Sequence, residues 1–204
     1  MQFDTSLELK SANYIAEEHK KDLIVLHHTV GGSAKSTAEY WQQDPKRIAT
    51  AFIIERDGTI YSMFPEKYWA YHIGSKLGND IDRRSIGIEL ASEGGLTESN
   101  GALYCFGIIS PRTKFTGPVY DAGRNWRGFR YFDAYEDAQA MATVDLVNYL
   151  CNKYDIPKRY PEDLWGSSND YYYYTGICSH SHIRADKTDI HPGFPWQQIV
   201  KEIS

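Results

Sequence analysis

Residues 178 to 194 read CSHSHIRADKTDIHPGF, placing Cys178, His180, His182, Asp186, Asp189 and His191 within fourteen positions. Imidazole and carboxylate at this density are metal-site chemistry, and a catalytic zinc needs only three protein ligands, its fourth position being left for water. A second source of donors lies far away, where the apolar run Leu23, Ile24, Val25, Leu26 ends in His27 and His28. Packing alone gives such a strand no use for imidazoles. A third anomaly is Glu89 in SIGIEL, where Ile86, Ile88 and Leu90 share one face while Ser85, Gly87 and Glu89 share the other. A carboxylate inside an apolar strand is costly to desolvate unless it is paired or lines a cavity. Arg83 and Arg84 stand ready as partners, and Gly87 would clear space beside Glu89 for a cavity.

These residues need a scaffold. Residues 22 to 30 form a strand by pattern, with Leu23, Val25, His27 and Thr29 on one face. Residues 51 to 64, AFIIERDGTIYSMF, predict a hairpin around Asp57-Gly58, and residues 85 to 90 another strand. A short helix spans about 36 to 43 and stops before Pro45. The longest helix runs from Asp133, as cap with Glu136 three residues on, to Tyr154, with Ala140, Val144, Val147, Cys151 and Tyr154 as its apolar stripe. A last helix starts at Pro195 and buries Trp196, Ile199, Val200 and Ile203. Strands separated by helices, with one antiparallel hairpin, predict an α/β fold: a single domain over residues 1–204 in which a central mixed β-sheet is covered by helices, the core lying at about 22–200. Residues 92–132, rich in glycine, arginine and aromatics, form a long insertion that reads as an ordered wall or lid.

Composition narrows the function. With 204 residues, 42% hydrophobic and 24% charged, the chain has the make-up of a globular protein with one substantial core. A net charge of −5 and no basic stripe exclude nucleic acid as a partner. Cys105, Cys151 and Cys178 show no C-x-x-C spacing, so neither a disulfide framework nor a zinc knuckle is indicated, and a reducing compartment fits. The N-terminal MQFDTSLELK has no basic region followed by an apolar stretch, and no run is long enough to insert into a membrane.

Taken in order, LIVLHHTVGG, FIIERDGTIY, WAYHIG, SIGIEL and SHSHIRADKTD resemble the zinc-dependent N-acetylmuramoyl-L-alanine amidases, a family that includes phage lysis enzymes, muropeptide amidases and the peptidoglycan recognition proteins. The resemblance spans roughly residues 22 to 200 and implies the fold of that family. It implies one Zn2+ per chain held by His27, His180 and Asp189, with Cys178 outside the ligand set and His28, His182 and His191 as the near rivals. Glu89 matches the family's catalytic glutamate and Lys187 the lysine that faces the scissile carbonyl. His72 of WAYHIG corresponds to a pocket histidine that contacts substrate, and the flat faces of Trp126 and Phe129 in the insertion suit sugar rings or peptide stems.

The implied reaction is hydrolysis of the amide between N-acetylmuramic acid and L-alanine in peptidoglycan or muropeptides, by a monomer. One departure stands out: Thr50 and Ala51 occupy the place where many relatives have histidine or tyrosine, so Glu89 is expected to carry proton transfer alone. A binding module that has lost catalysis, or a zinc hydrolase of another amide, are the competing readings; retention of three ligands with Glu89 and Lys187 favours the amidase. Expected localisation follows from the N-terminus: synthesis in the cytoplasm, with action on the wall after release or delivery, as for an antimicrobial endolysin, or on cytoplasmic muropeptides. No separate wall-binding domain is expected.

Overall fold

Four parallel strands set side by side explain the continuous apolar runs of the sequence. The computed structural model describes residues 1–105 and 113–197. In chain order its elements are β1 (Leu23–His28), α1 (Ala34–Gln43), β2 (Phe52–Ile54), β3 (Ile60–Ser62), α2 (Asp80–Arg84), β4 (Ser85–Leu90), β5 (Gly95–Ser99), β6 (Ala102–Cys105), β7 (Thr113–Lys114), β8 (Val119–Trp126), β9 (Phe129–Asp133), α3 (Asp137–Tyr154), β10 (Gly176–Ser179) and α4 (His180–Ile183). The first sheet has the order β10-β1-β4-β2-β3, parallel throughout except for the β2–β3 hairpin. Both faces of such a sheet are covered, so every residue of β1 is buried. Alternate residues divide between two cores: Ile24 and Leu26 join Val144, Val147 and Leu150 of α3, while Leu23 and Val25 join Ile73, Ile81, Tyr172, Cys178 and Ile183. The predicted mixed sheet covered by helices is the observed one.

Residues 92–132 hold a second sheet, antiparallel, in the order β7-β6-β5-β9-β8. Residues 106–112 of this segment are outside the described residues. So is most of the expected final helix, including Ile199, Val200 and Ile203; Trp196 is buried, stacked on Tyr160 and against Phe194.

One expectation is corrected. Asp133 does not cap the long helix, which begins at Asp137 after Glu136. Asp133 ends β9 fully buried, where its carboxylate accepts from both terminal nitrogens of Arg56 and from the Glu93 backbone N–H. A carboxylate so enclosed needs a cation and hydrogen bonds, and Arg56 supplies a bidentate partner that the sequence spacing does not reveal.

Candidate functional site

Register brings three elements to one edge. β1 and β4 pair with His27 opposite Glu89, and β1 and β10 pair with Leu26 opposite Ser179, so His180 follows at the next level. All three residues therefore gather at the C-terminal ends of adjacent parallel strands, the usual place for a site in such sheets. Asp189 comes back to them from the segment after α4, held there by Ser181, whose N–H donates to the Asp189 carbonyl at 2.6 Å and whose hydroxyl donates to the Ile190 carbonyl at 3.1 Å.

His27, His180 and Asp189, all buried, form the one group of at least three potential ligands found among the described residues. His27 Nδ1 lies 3.1 Å from His180 Nδ1 and 3.0 Å from Asp189 Oδ2, and His180 Nδ1 lies 2.9 Å from the same oxygen. The far nitrogen of each ring is already engaged. His180 Nε2 donates to the Ile73 carbonyl at 2.8 Å. His27 Nε2 donates to His72 Nδ1 at 2.9 Å, His72 Nε2 donates to Ser85 Oγ at 2.9 Å, and the Ser85 hydroxyl donates to the Ile81 carbonyl at 2.6 Å. With protons assigned to these outward positions, both Nδ1 atoms present lone pairs to each other and to a carboxylate oxygen. Burial holds His27 neutral, its pKa down at about 4 against the opposing pull of Asp189. Two lone pairs and an anionic oxygen at this spacing are mutually repulsive without a cation. Their separations are close to the roughly 3.3 Å between tetrahedral ligands about 2.0 Å from zinc. The donor set thus fits a metal ion, with imidazoles oriented from behind in the manner of metal-site histidines.

His72 stands directly behind His27: both of its ring nitrogens are engaged inside the protein, one by His27 and the other by Ser85. Gly87 makes this approach feasible: a Cβ there would lie 3.0 Å from His72 Nδ1 and 2.7 Å from Thr50 Cγ2. Thr50 turns its hydroxyl to the Phe52 carbonyl and its methyl to Gly87, so that position contributes no acid or base.

Glu89 is not in an ion pair with its neighbours: Arg83 bonds Asp80 and Arg84 bonds Asp22. Its Oε2 is enclosed and has no hydrogen-bond partner. Burial, reinforced by the charge of Asp189, pushes its carboxyl well above the usual range, while the Lys187 ammonium draws it back. Glu89 also lines a cleft of about 340 Å³ bounded by Thr29, Ser36, Thr37, Tyr40 and Trp41, so the carboxylate does line a cavity.

The rivals have other duties. His28 Nδ1 meets the Tyr135 hydroxyl at 2.9 Å, and His182 Nδ1 accepts from the Ser179 N–H at 3.0 Å. His191 donates to the Asp133 carbonyl and stacks between Tyr135 and Phe132. Cys178 faces Val25 in the apolar cluster, where burial raises its thiol pKa. Trp126 is 7% exposed, packed on Phe132 and Trp165 with its Nε1 donating to the Trp165 carbonyl, and Phe129 covers Gly95. Their rings take part in the second sheet's own packing, Phe129 being half-buried there. Tyr40 and Trp41, at the cleft beside Glu89, are the aromatics that sequence reasoning passed over.

Comparison with known proteins gives the family and the fold. The profile of the N-acetylmuramoyl-L-alanine amidase family matches residues 17–194. No curated protein matches the chain. Among solved structures, PlyL superposes with a TM-score of 0.58 at 14% identity, over 100% of this chain and 98% of that one. AmpD gives 0.56 at 19% identity over 100% of each chain. The amidase AmiD from E. coli, solved with the substrate anhydro-N-acetylmuramic acid-L-Ala-D-γ-Glu-L-Lys, gives 0.58 at 20% identity, covering 92% of this chain and 59% of that one. The fold is therefore theirs, and with a family match over most of its length the chain belongs to the N-acetylmuramoyl-L-alanine amidases, enzymes of peptidoglycan hydrolysis.

Proposed function

We propose that this amidase is a zinc enzyme in which His27, His180 and Asp189 hold one ion per chain, Glu89 moves the proton and Lys187 stabilises the oxyanion. The observation that carries it is the convergence of three donor atoms, 2.9 to 3.1 Å apart, with their lone pairs turned inward. Zinc bound there supplies Lewis acidity, which acidifies a water and polarises a carbonyl. The rest is the work of the chain. The Glu89 carboxyl, which has no internal partner at Oε2 and lines the cleft, is the group left to take a proton from the attacking water and to deliver it to the departing amine of L-alanine. A carboxyl with a raised pKa suits a group that must both accept and return a proton near neutrality. The Lys187 ammonium acts electrostatically on both His27 and Glu89, which supports giving it the carbonyl oxygen that becomes anionic.

Substrate occupies the cleft beside Glu89, where the hydroxyls of Thr29, Ser36 and Thr37 and the rings of Tyr40 and Trp41 offer the mixed polar and flat surface that a glycopeptide requires. All three ligands come from one chain, so a monomer completes the site. Among the described residues no helix is long and apolar enough to cross a membrane. The substrate is a muropeptide or the intact wall, met after release or delivery or within the cytoplasm. Elemental analysis should find one zinc per chain, and the zinc-loaded protein should release a stem peptide with a new alanine N-terminus from a muropeptide but leave an unrelated peptide whole. Equal cleavage of both, or activity that survives complete zinc removal, refutes the reading.

A further inference from the structure

The second sheet reaches the turn that carries Lys187 through Arg127. Trp126 pairs with Phe129, and between them Arg127 and Gly128 both adopt positive φ, 51° and 97°, the two-residue turn whose twist suits a tight hairpin. This tip points Arg127 at the segment carrying Lys187. Its Nη1 donates to the Arg184 carbonyl at 3.0 Å and also to the Lys187 carbonyl, and its Nη2 donates to the Gly166 carbonyl at 3.3 Å. Arg184 and Lys187 are the two ends of one turn, closed by the Lys187 N–H donating to the Arg184 carbonyl at 3.2 Å. One guanidinium nitrogen thus bridges both ends of that turn. Arg127 is itself held over the Trp126 ring, 4.6 Å from its centroid, and that indole is fixed by its bond to Trp165.

We propose that Arg127 is a positioning residue for Lys187, and that the insertion serves the reaction as a clamp on the lysine turn. The proposal rests on the oxyanion role given to Lys187 above. Among the described residues the Lys187 ammonium has no ion-pair partner, so the direction of its side chain depends on its backbone, and that backbone is tied to the hairpin tip by hydrogen bonds assisted by a full charge. Asp189, two residues further, has a separate anchor in Ser181 of α4. Lys187 and Asp189 therefore have separate anchors, and removing Arg127 should disturb one and spare the other.

The test is a double-mutant cycle on the zinc-loaded enzyme with a muropeptide substrate, using Arg127→Ala, Lys187→Ala and the pair. Arg127→Ala should lower kcat roughly ten- to hundredfold, the scale for a displaced catalytic group, with KM and zinc content close to those of the parent. In the Lys187→Ala background the same change should cost less than twofold, because a residue that acts through Lys187 has nothing left to position. Arg127→Lys, which offers an ammonium but no fork, should recover part of the loss. Independently of activity, amide exchange at Lys187 should quicken in Arg127→Ala. Equal losses in both backgrounds, loss of zinc along with turnover, or parental kcat in Arg127→Ala overturn the clamp. Parental kcat in Lys187→Ala alone removes the oxyanion role and the clamp with it, whereas a slow Lys187→Ala beside a normal Arg127→Ala removes the clamp only.

Discussion

His72→Ala separates two kinds of histidine. His72 accepts the proton of His27 Nε2 at 2.9 Å and is fixed from behind by Ser85 at 2.9 Å, so its removal leaves a buried imidazole N–H without an acceptor. An unsatisfied buried donor costs about 1–3 kcal/mol. Loss of such an outer partner typically lowers metal affinity about 10- to 100-fold, which at about 1.4 kcal/mol per tenfold is about 1.4–2.8 kcal/mol. The two routes agree, and the weakening should fall on zinc. His72→Asn keeps an acceptor near the position of Nδ1 and should recover most of it. Zinc dissociation constants from competition with a chromogenic chelator, measured with kcat and KM at saturating zinc, read the effect directly. At saturating metal, His72→Ala should keep KM within about twofold, because no ring nitrogen faces the cleft. A parental zinc affinity combined with a raised KM would refute the reasoning and return His72 to the substrate pocket.

Glu89→Gln should reduce turnover on the order of 10²- to 10⁴-fold with zinc content unchanged, read by steady-state kinetics and elemental analysis, since it removes a base without removing a ligand. Asp189→Ala should lose metal and activity together while Cys178→Ala keeps both, because Cys178 is packed among apolar side chains away from the ligand triangle. Retained zinc in the first variant with loss in the second would reverse the assignment. The zinc-free protein should lose stability as acid is added. Burial lowers the pKa of His27 and of His182 from 6.5 to about 4, so between those values the unfolded chain takes up protons that the folded chain refuses. Their contribution is complete above pH 6.5 and declines as pH falls toward 4, and the urea midpoint of metal-free protein should follow it; a flat midpoint over that window counts against the burial of these rings.

Sequence pattern carried the site further than it carried its surroundings. Strand β4 occupies the predicted residues 85 to 90, and the predicted hairpin forms around Asp57-Gly58, because burial on both faces and turn chemistry are local signals. The convergence of His27, His180 and Asp189 is readable because two stretches far apart in the chain, LIVLHHTVGG and SHSHIRADKTD, match a family pattern; neither stretch alone contains it. Asp133 was misread because an Asp three residues before a Glu fits a helix cap equally well, and its partner Arg56 is 77 residues away. The second sheet is hard to read in the sequence because glycines and a register shift, as at Gly123 in β8, interrupt the alternation of its strands. The packing of Trp126 on Phe132 and Trp165 is not legible either, since ring identity does not say which way a strand will turn.

The pairing of β1 with β10 joins residues more than 150 positions apart in sequence, and it carries a temporal consequence. During synthesis the first histidine leaves the ribosome long before the last strand and the aspartate exist. Until then β1 has a partner in β4 at most, and its other side is a bare apolar edge that invites pairing with foreign strands. Distant parallel pairing is slow to close. A cell that makes this protein therefore holds each nascent copy inert until the residues after β10 have been translated, and it carries, for that interval, a burden of protecting an exposed edge rather than one of restraining an active hydrolase.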